Sequence, residues 1–189
     1  LMRSSAASDV YKRQGAEFVL TSPANGGYLA TYDQLWSRLE KNIQELGDYA
    51  AKLEIKLVVE ALTPYESNFF TRANDLVELF RRVDNPYVVG MCDIVPPFVQ
   101  HESIMAYFDK LGNKMDHMHI IDGENGSDTH MIPGEGNIPI KEMLYEMKRI
   151  GYDKTATLEL VTNYINEPRF YAKRAIDNMR ELMAEAGIV

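Results

Sequence analysis

Short apolar runs alternate with helical patterns along this chain, and that alternation restricts the fold to βα units built around a mainly parallel sheet. The runs are residues 18–21, 57–62, 87–95, 115–122 and 155–161, which predicts five strands. Between the first two, Thr31 is placed to N-cap a helix and Gln34 to close a capping box. Leu35, Leu39, Ile43, Leu46, Ala50 and Leu53 then share one face, with Trp36 read as packing. A second helix carries Leu76, Leu79, Phe80 and Val83 and stops at Asp84-Asn85-Pro86; a third carries Ile104, Phe108 and Leu111 and ends at Gly112. Pro139 opens a fourth, with Ile140, Met143, Leu144, Met147 and Ile150 together before Gly151. Pro168 at the first helical position opens the last, which runs past Ile176, Met179, Leu182 and Met183.

Five βα units in about 175 residues take roughly 35 each, so eight would need roughly 280, the size of a (β/α)8 TIM barrel. The expectation is therefore a truncated barrel holding about five C-terminal units. A doubly wound five-stranded sheet would be complete at this length, but it carries a glycine-rich phosphate turn after its first strand. Here that strand leads into Ser22-Pro23-Ala24-Asn25-Gly26-Gly27, which lacks the pattern. The opening LMRSSAASDVYKRQ resembles translated sequencing adapter, so residues 1–14 are expected to be a non-native leader and 15–189 the C-terminal part of a single barrel domain.

With 46% hydrophobic and 25% charged residues the chain can bury one sizeable core. No apolar run approaches the roughly 18 to 20 residues of a membrane span and no secretory h-region opens the chain, so a cytoplasmic protein without membrane partners is expected. Cys92, alone and inside an apolar run, reads as a buried thiol. A net charge of −8 argues against a nucleic-acid partner, which calls for a basic footprint.

Four of the five runs place a metal-ligating residue near the C-terminal end: Glu60 in LVVEAL, Asp93 in VGMCDIV, His119 in DHMHIID and Glu159 in TATLELV. In a barrel all strands open onto one mouth, so residues distant in sequence become neighbours there. A carboxylate in an apolar strand is costly unless paired or bound to a metal, and three together repel unless a cation neutralises them. Three carboxylates with one imidazole suit one divalent ion, Mn2+, Mg2+, Co2+ or Zn2+. His117, one pleat deeper than His119, reads as a buried hydrogen-bonded histidine. On the residues alone, Glu66 in TPYESN is equally a substrate contact or a solvated loop charge. The polar loop SDTHMIPGEG, with His130, reads as an active-site loop or as an ordinary surface turn.

The blocks ALTPYESN, AYFDKLGNK, HIIDGENGSDTHMIPGEG and LELVTNYINEPRFYA, in this order, resemble the fructoselysine 3-epimerases of the xylose-isomerase-like sugar isomerase and epimerase superfamily. That resemblance implies a metal held by Glu60, Asp93, His119 and Glu159, with Glu60 and Glu159 doubling as catalytic acid and base. It implies a sugar contact at Glu66, six residues after the first ligand. Simple ketose epimerases carry a histidine where this chain has Pro96 and an arginine where it has His130. These departures favour a substituted ketose as substrate, with His130 among the groups that bind it. The implied reaction is inversion at C3 of a ketosamine, fructoselysine to psicoselysine, through a cis-enediolate. Rival readings are another TIM-barrel sugar isomerase, an inosose dehydratase, an abasic-site endonuclease, or an inactive fragment that binds sugar or metal weakly. Four histidines and an acidic balance weigh against the endonuclease. Homo-oligomerisation stays open.

Overall fold

The computed structural model describes residues 2–124 and 126–188. Five strands form, β1 Phe18–Thr21, β2 Lys56–Val59, β3 Val88–Asp93, β4 Met115–Ile120 and β5 Thr155–Leu158, in the order β1-β2-β3-β4-β5. Interleaved with them are α1 Met2–Arg13, α2 Tyr32–Leu53, α3 Ala73–Arg82, α4 Val95–Val99, α5 Met105–Leu111, α6 Ile140–Ile150 and α7 Pro168–Glu185. Parallel strands in sequence order with helical crossovers are the arrangement of a (β/α) barrel, here with five of its units. None of the described helices is long and apolar enough to cross a membrane.

Contacts divide the chain into two compact units. The first is the chain up to Cys92 together with Tyr107–Asp116. In it β1 pairs in parallel with β2, Phe18 opposite Lys56 and Thr21 opposite Val59, and β2 pairs with β3, Leu57 opposite Val88. Val58, Val89 and Met91 are buried there with Phe18 and Leu20 against them. Helix α2 begins with the expected capping box: the Gln34 amide donates to Thr31 Oγ1, and the Thr31 amide donates to Gln34 Oε1. It buries Leu35, Trp36, Leu39, Ile43 and Ala50, and Gly47 lets it approach the sheet, since a Cβ there would meet Val88 Cγ2. Trp36 packs edge-on to Phe69 beneath the Arg82 guanidinium, the packing role expected of it. Lys114 Nζ donates to the carbonyls of Asn85 and Val88, both at 2.7 Å, and so fixes the turn that launches β3. Residues 2–13, expected to be foreign to the domain, form α1; Asp9 accepts a hydrogen bond from Tyr49, and Lys12 donates to the Glu54 carbonyl.

The second unit comprises Asp93–Ala106 and His117–Val189. Here β4 and β5 pair in parallel, His117 opposite Thr155 and His119 opposite Thr157. Helix α6 buries Ile140, Met143, Leu144 and Met147 and ends on Gly151 in the left-handed region. Two expected core positions are instead exposed, Ile150 at 45% and Ile176 at 39%. Thr155, Ala156 and Thr157 of β5 are also exposed, and among the described residues β5 ends the strand order, beside β4. Strands β2 to β5 stop two to three residues short of the apolar runs that mark them, where the chain turns into the loops that carry the site.

Candidate metal centre

Glu60 directly follows β2, is 6% exposed, and donates its amide to the Thr21 carbonyl at 3.0 Å, extending the ladder by one residue. Asp93 ends β3 and is 7% exposed; its Oδ1 accepts from the Val95 amide at 2.8 Å, which fixes the carboxylate's rotation. His119 is the penultimate residue of β4, and Glu159 directly follows β5. All four therefore sit at the C-terminal ends of parallel strands, where a (β/α) barrel gathers its chemistry.

Within the second unit Asp93, His119 and Glu159 come together, one ligand atom of each lying within 4.8 Å of the others. Carboxylate oxygens and imidazole nitrogens bind a divalent cation at about 2.0–2.2 Å, so ligands of one ion stand at most about 4.4 Å apart. A contraction of a few tenths of an ångström would bring these three to that distance, so the donor set fits a metal. Glu60 lies in the first unit.

Glu159 has two imidazoles against it. His119 Nδ1 is 3.2 Å and His130 Nε2 3.3 Å from its Oε2. Hydrogen bonds from His119 and then His130 hold the Glu159 carboxyl well below the usual carboxylate range, against the opposing effect of burial. For His130, burial works against protonation, but its hydrogen bonds to Asp128 and Glu159 and the Asp93 charge override it, pushing the imidazole up to about 10. His117 behaves as expected: it is buried, with Nδ1 2.7 Å from Thr155 Oγ1 and Nε2 3.1 Å from Thr157 Oγ1. Cys92 is a fully buried thiol. Glu66 is exposed in the loop after β2, and its carboxylate accepts from the Thr63 amide and hydroxyl of its own turn.

Two acids that sequence reasoning left unassigned organise the loop after β4. Asp122 is buried, and its two oxygens accept from four backbone amides: Gly123 and Ile138 on Oδ1, Gly134 and Gly136 on Oδ2, at 2.8–3.0 Å. Asp128 bonds His130 Nδ1 at 2.8 Å. The available signal was an acid directly after an apolar strand and ahead of a glycine-rich loop, a pattern that gathers amides around a carboxylate.

Residues 6–182 match the family model of the xylose isomerase-like TIM barrel. The chain belongs to that family. Over 179 residues this xylose isomerase-like barrel is 45% identical to the fructoselysine 3-epimerase of Escherichia coli O157:H7, an alignment covering 95% of this chain and 65% of that protein. The chain thus spans just under two thirds of that relative. Among solved structures, it superposes on the D-allulose 3-epimerase of a Methylomonas species with a TM-score of 0.81 at 16% identity, over 96% of this chain and 68% of that one. It also superposes on the zinc-bound IolI protein with a TM-score of 0.77 at 19% identity, over 98% and 68%. These two likenesses concern the fold.

Proposed function

We propose that this chain belongs to a metal-dependent sugar epimerase that inverts C3 of a ketosamine, interconverting fructoselysine and psicoselysine in the cytoplasm. The observation that carries the reading is the meeting of Asp93, His119 and Glu159 at the strand C-termini, and 45% identity to a protein named fructoselysine 3-epimerase supports the substrate class. Glu60 is the fourth ligand of a single divalent ion. Such an ion supplies Lewis acidity and a template for the C2 carbonyl and C3 hydroxyl of the sugar.

Inversion needs a proton taken from one face of C3 and returned to the other, hence two groups able to carry it. Glu60 and Glu159, at the ends of different strands, are assigned that work: one removes the C3 proton to leave a cis-enediolate and the other protonates the opposite face. Glu159 has an imidazole on each side of its Oε2, at 3.2 and 3.3 Å, which restrict where that carboxylate stands. Glu66 and His130 are assigned to the sugar, and His130 stands 3.3 Å from the Glu159 carboxylate.

The test is product analysis on the chain completed to the length of its relatives. With Mn2+ present, fructoselysine is expected to yield psicoselysine, with one solvent deuteron entering C3 in heavy water, while EDTA stops the reaction. Conversion of the ketosamine to an aldose, or dehydration of an inosose as the preferred reaction, would assign the site to another activity.

A further inference from the structure

We propose that Asp128 is a positioning residue: by holding His130 Nδ1 it aims Nε2 of the same ring at Glu159, and so sets the carboxylate that moves the C3 proton. This rests on the reading of Glu159 as a proton carrier. His130 stands between the two acids, with Asp128 Oδ1 2.8 Å from its Nδ1 and Glu159 Oε2 3.3 Å from its Nε2. Each ring nitrogen has one carboxylate oxygen beside it, Nδ1 that of Asp128 and Nε2 that of Glu159.

The backbone is distorted to place it. His130 has φ +47°, in the left-handed region that non-glycine residues rarely occupy. Its neighbours are clamped on both sides so that the strain cannot relax. The Thr129 carbonyl accepts from Asn163 Nδ2 at 2.8 Å, and Met131 exchanges two hydrogen bonds with Asp122, at 2.7 and 2.8 Å. The next amide, of Ile132, donates to Tyr164 Oη at 3.0 Å.

The experiment compares Asp128→Ala, Asp128→Asn and the unaltered protein in the chain completed to the length of its relatives. Steady-state kinetics on fructoselysine with Mn2+ are read beside the nitrogen-15 spectrum of the His130 ring without metal. Asp128→Ala is expected to lower kcat about tenfold or more with KM within twofold, and to remove the downfield Nδ1 proton signal. Asp128→Asn should recover most of kcat and keep that signal, because its amide oxygen still accepts from Nδ1. A raised KM with unchanged kcat in Asp128→Ala overturns the inference and makes His130 a sugar contact. Unchanged kinetics overturn it too, as does an Asn variant as damaged as Ala, since charge and not aim would then matter. Should Asp128→Ala not fold, Asp128→Ser, too short to reach the ring, is judged by the same criteria. Failure of the underlying reading looks different: Glu159→Gln would then keep C3 proton exchange whatever Asp128 does.

Discussion

Glu159 stands apart from the other strand-end acids because His119 and His130 both converge on one of its oxygens. Two rings against one oxygen restrict where that carboxylate can stand, which is the property a group placed over a reacting carbon needs. Replacing it with glutamine keeps an oxygen that can coordinate a metal but removes the ability to carry a proton. Glu159→Gln is therefore expected to cut C3 inversion by roughly 100- to 10,000-fold while Mn2+ affinity, read by calorimetry, falls far less. Deuterium exchange at C3 persisting at the unaltered rate would remove Glu159 from the chemistry. His117 sits one pleat below His119 yet has a different part, since its two ring nitrogens are taken by Thr155 and Thr157 on β5. It helps to seat β5 and, through it, Glu159.

At the scale of elements, the loop after β4 is held from inside by one carboxylate. Four backbone amides bond to Asp122, and a Cβ on Gly136 would collide with the Gly123 carbonyl oxygen and Asp122 Oδ1, so neither position has room for change. Asp122→Ala strands several buried donors and is expected to cost about 3 to 5 kcal/mol by denaturant unfolding, and to loosen the His130 contact with Glu159. A loss under about 1 kcal/mol would mean that water replaces the carboxylate and that the loop does not depend on it. The strand-end positions of Glu60, Asp93, His119 and Glu159 could be read in the sequence because a parallel sheet sends every C-terminus the same way, so position within an apolar run is already position in space. The roles of Asp122 and Asp128 could not, because they depend on the path of a loop with no period, and each acid bonds atoms 1 to 16 residues away. Helix α4 was hidden for a related reason: Val95-Pro96-Pro97-Phe98-Val99 has two prolines and no apolar period, and its first turn depends on Asp93 accepting from the Val95 amide. Ile150 and Ile176 fit a helical stripe, but whether a stripe is covered is decided by neighbours that periodicity does not reveal.

For the molecule as a whole, β5 pairs with β4 alone among the described residues and has three exposed residues, and Ile176, 39% exposed, lies in an apolar groove beside it with Leu158 and Met183. An unpaired strand edge invites association with other chains, and each large apolar side chain left in water forfeits roughly 1.5 to 3 kcal/mol. A few of these losses equal a domain's whole margin of roughly 5 to 15 kcal/mol. Residues 15–189 alone are thus expected to melt weakly and without cooperativity and to turn over no ketosamine, beside a cooperative and active chain completed to the length of its relatives. A sharp melt and comparable turnover from 15–189 would show five units to be a self-sufficient domain. The claim on which everything else depends is that four strand ends hold one ion. Anomalous diffraction at the manganese edge from Mn2+-soaked crystals of the completed protein tests it most directly. The account predicts one peak, bonded by Glu60, Asp93, His119 and Glu159 at about 2.0–2.2 Å. A peak elsewhere, or a site from which Glu60 or Glu159 is absent, would contradict it.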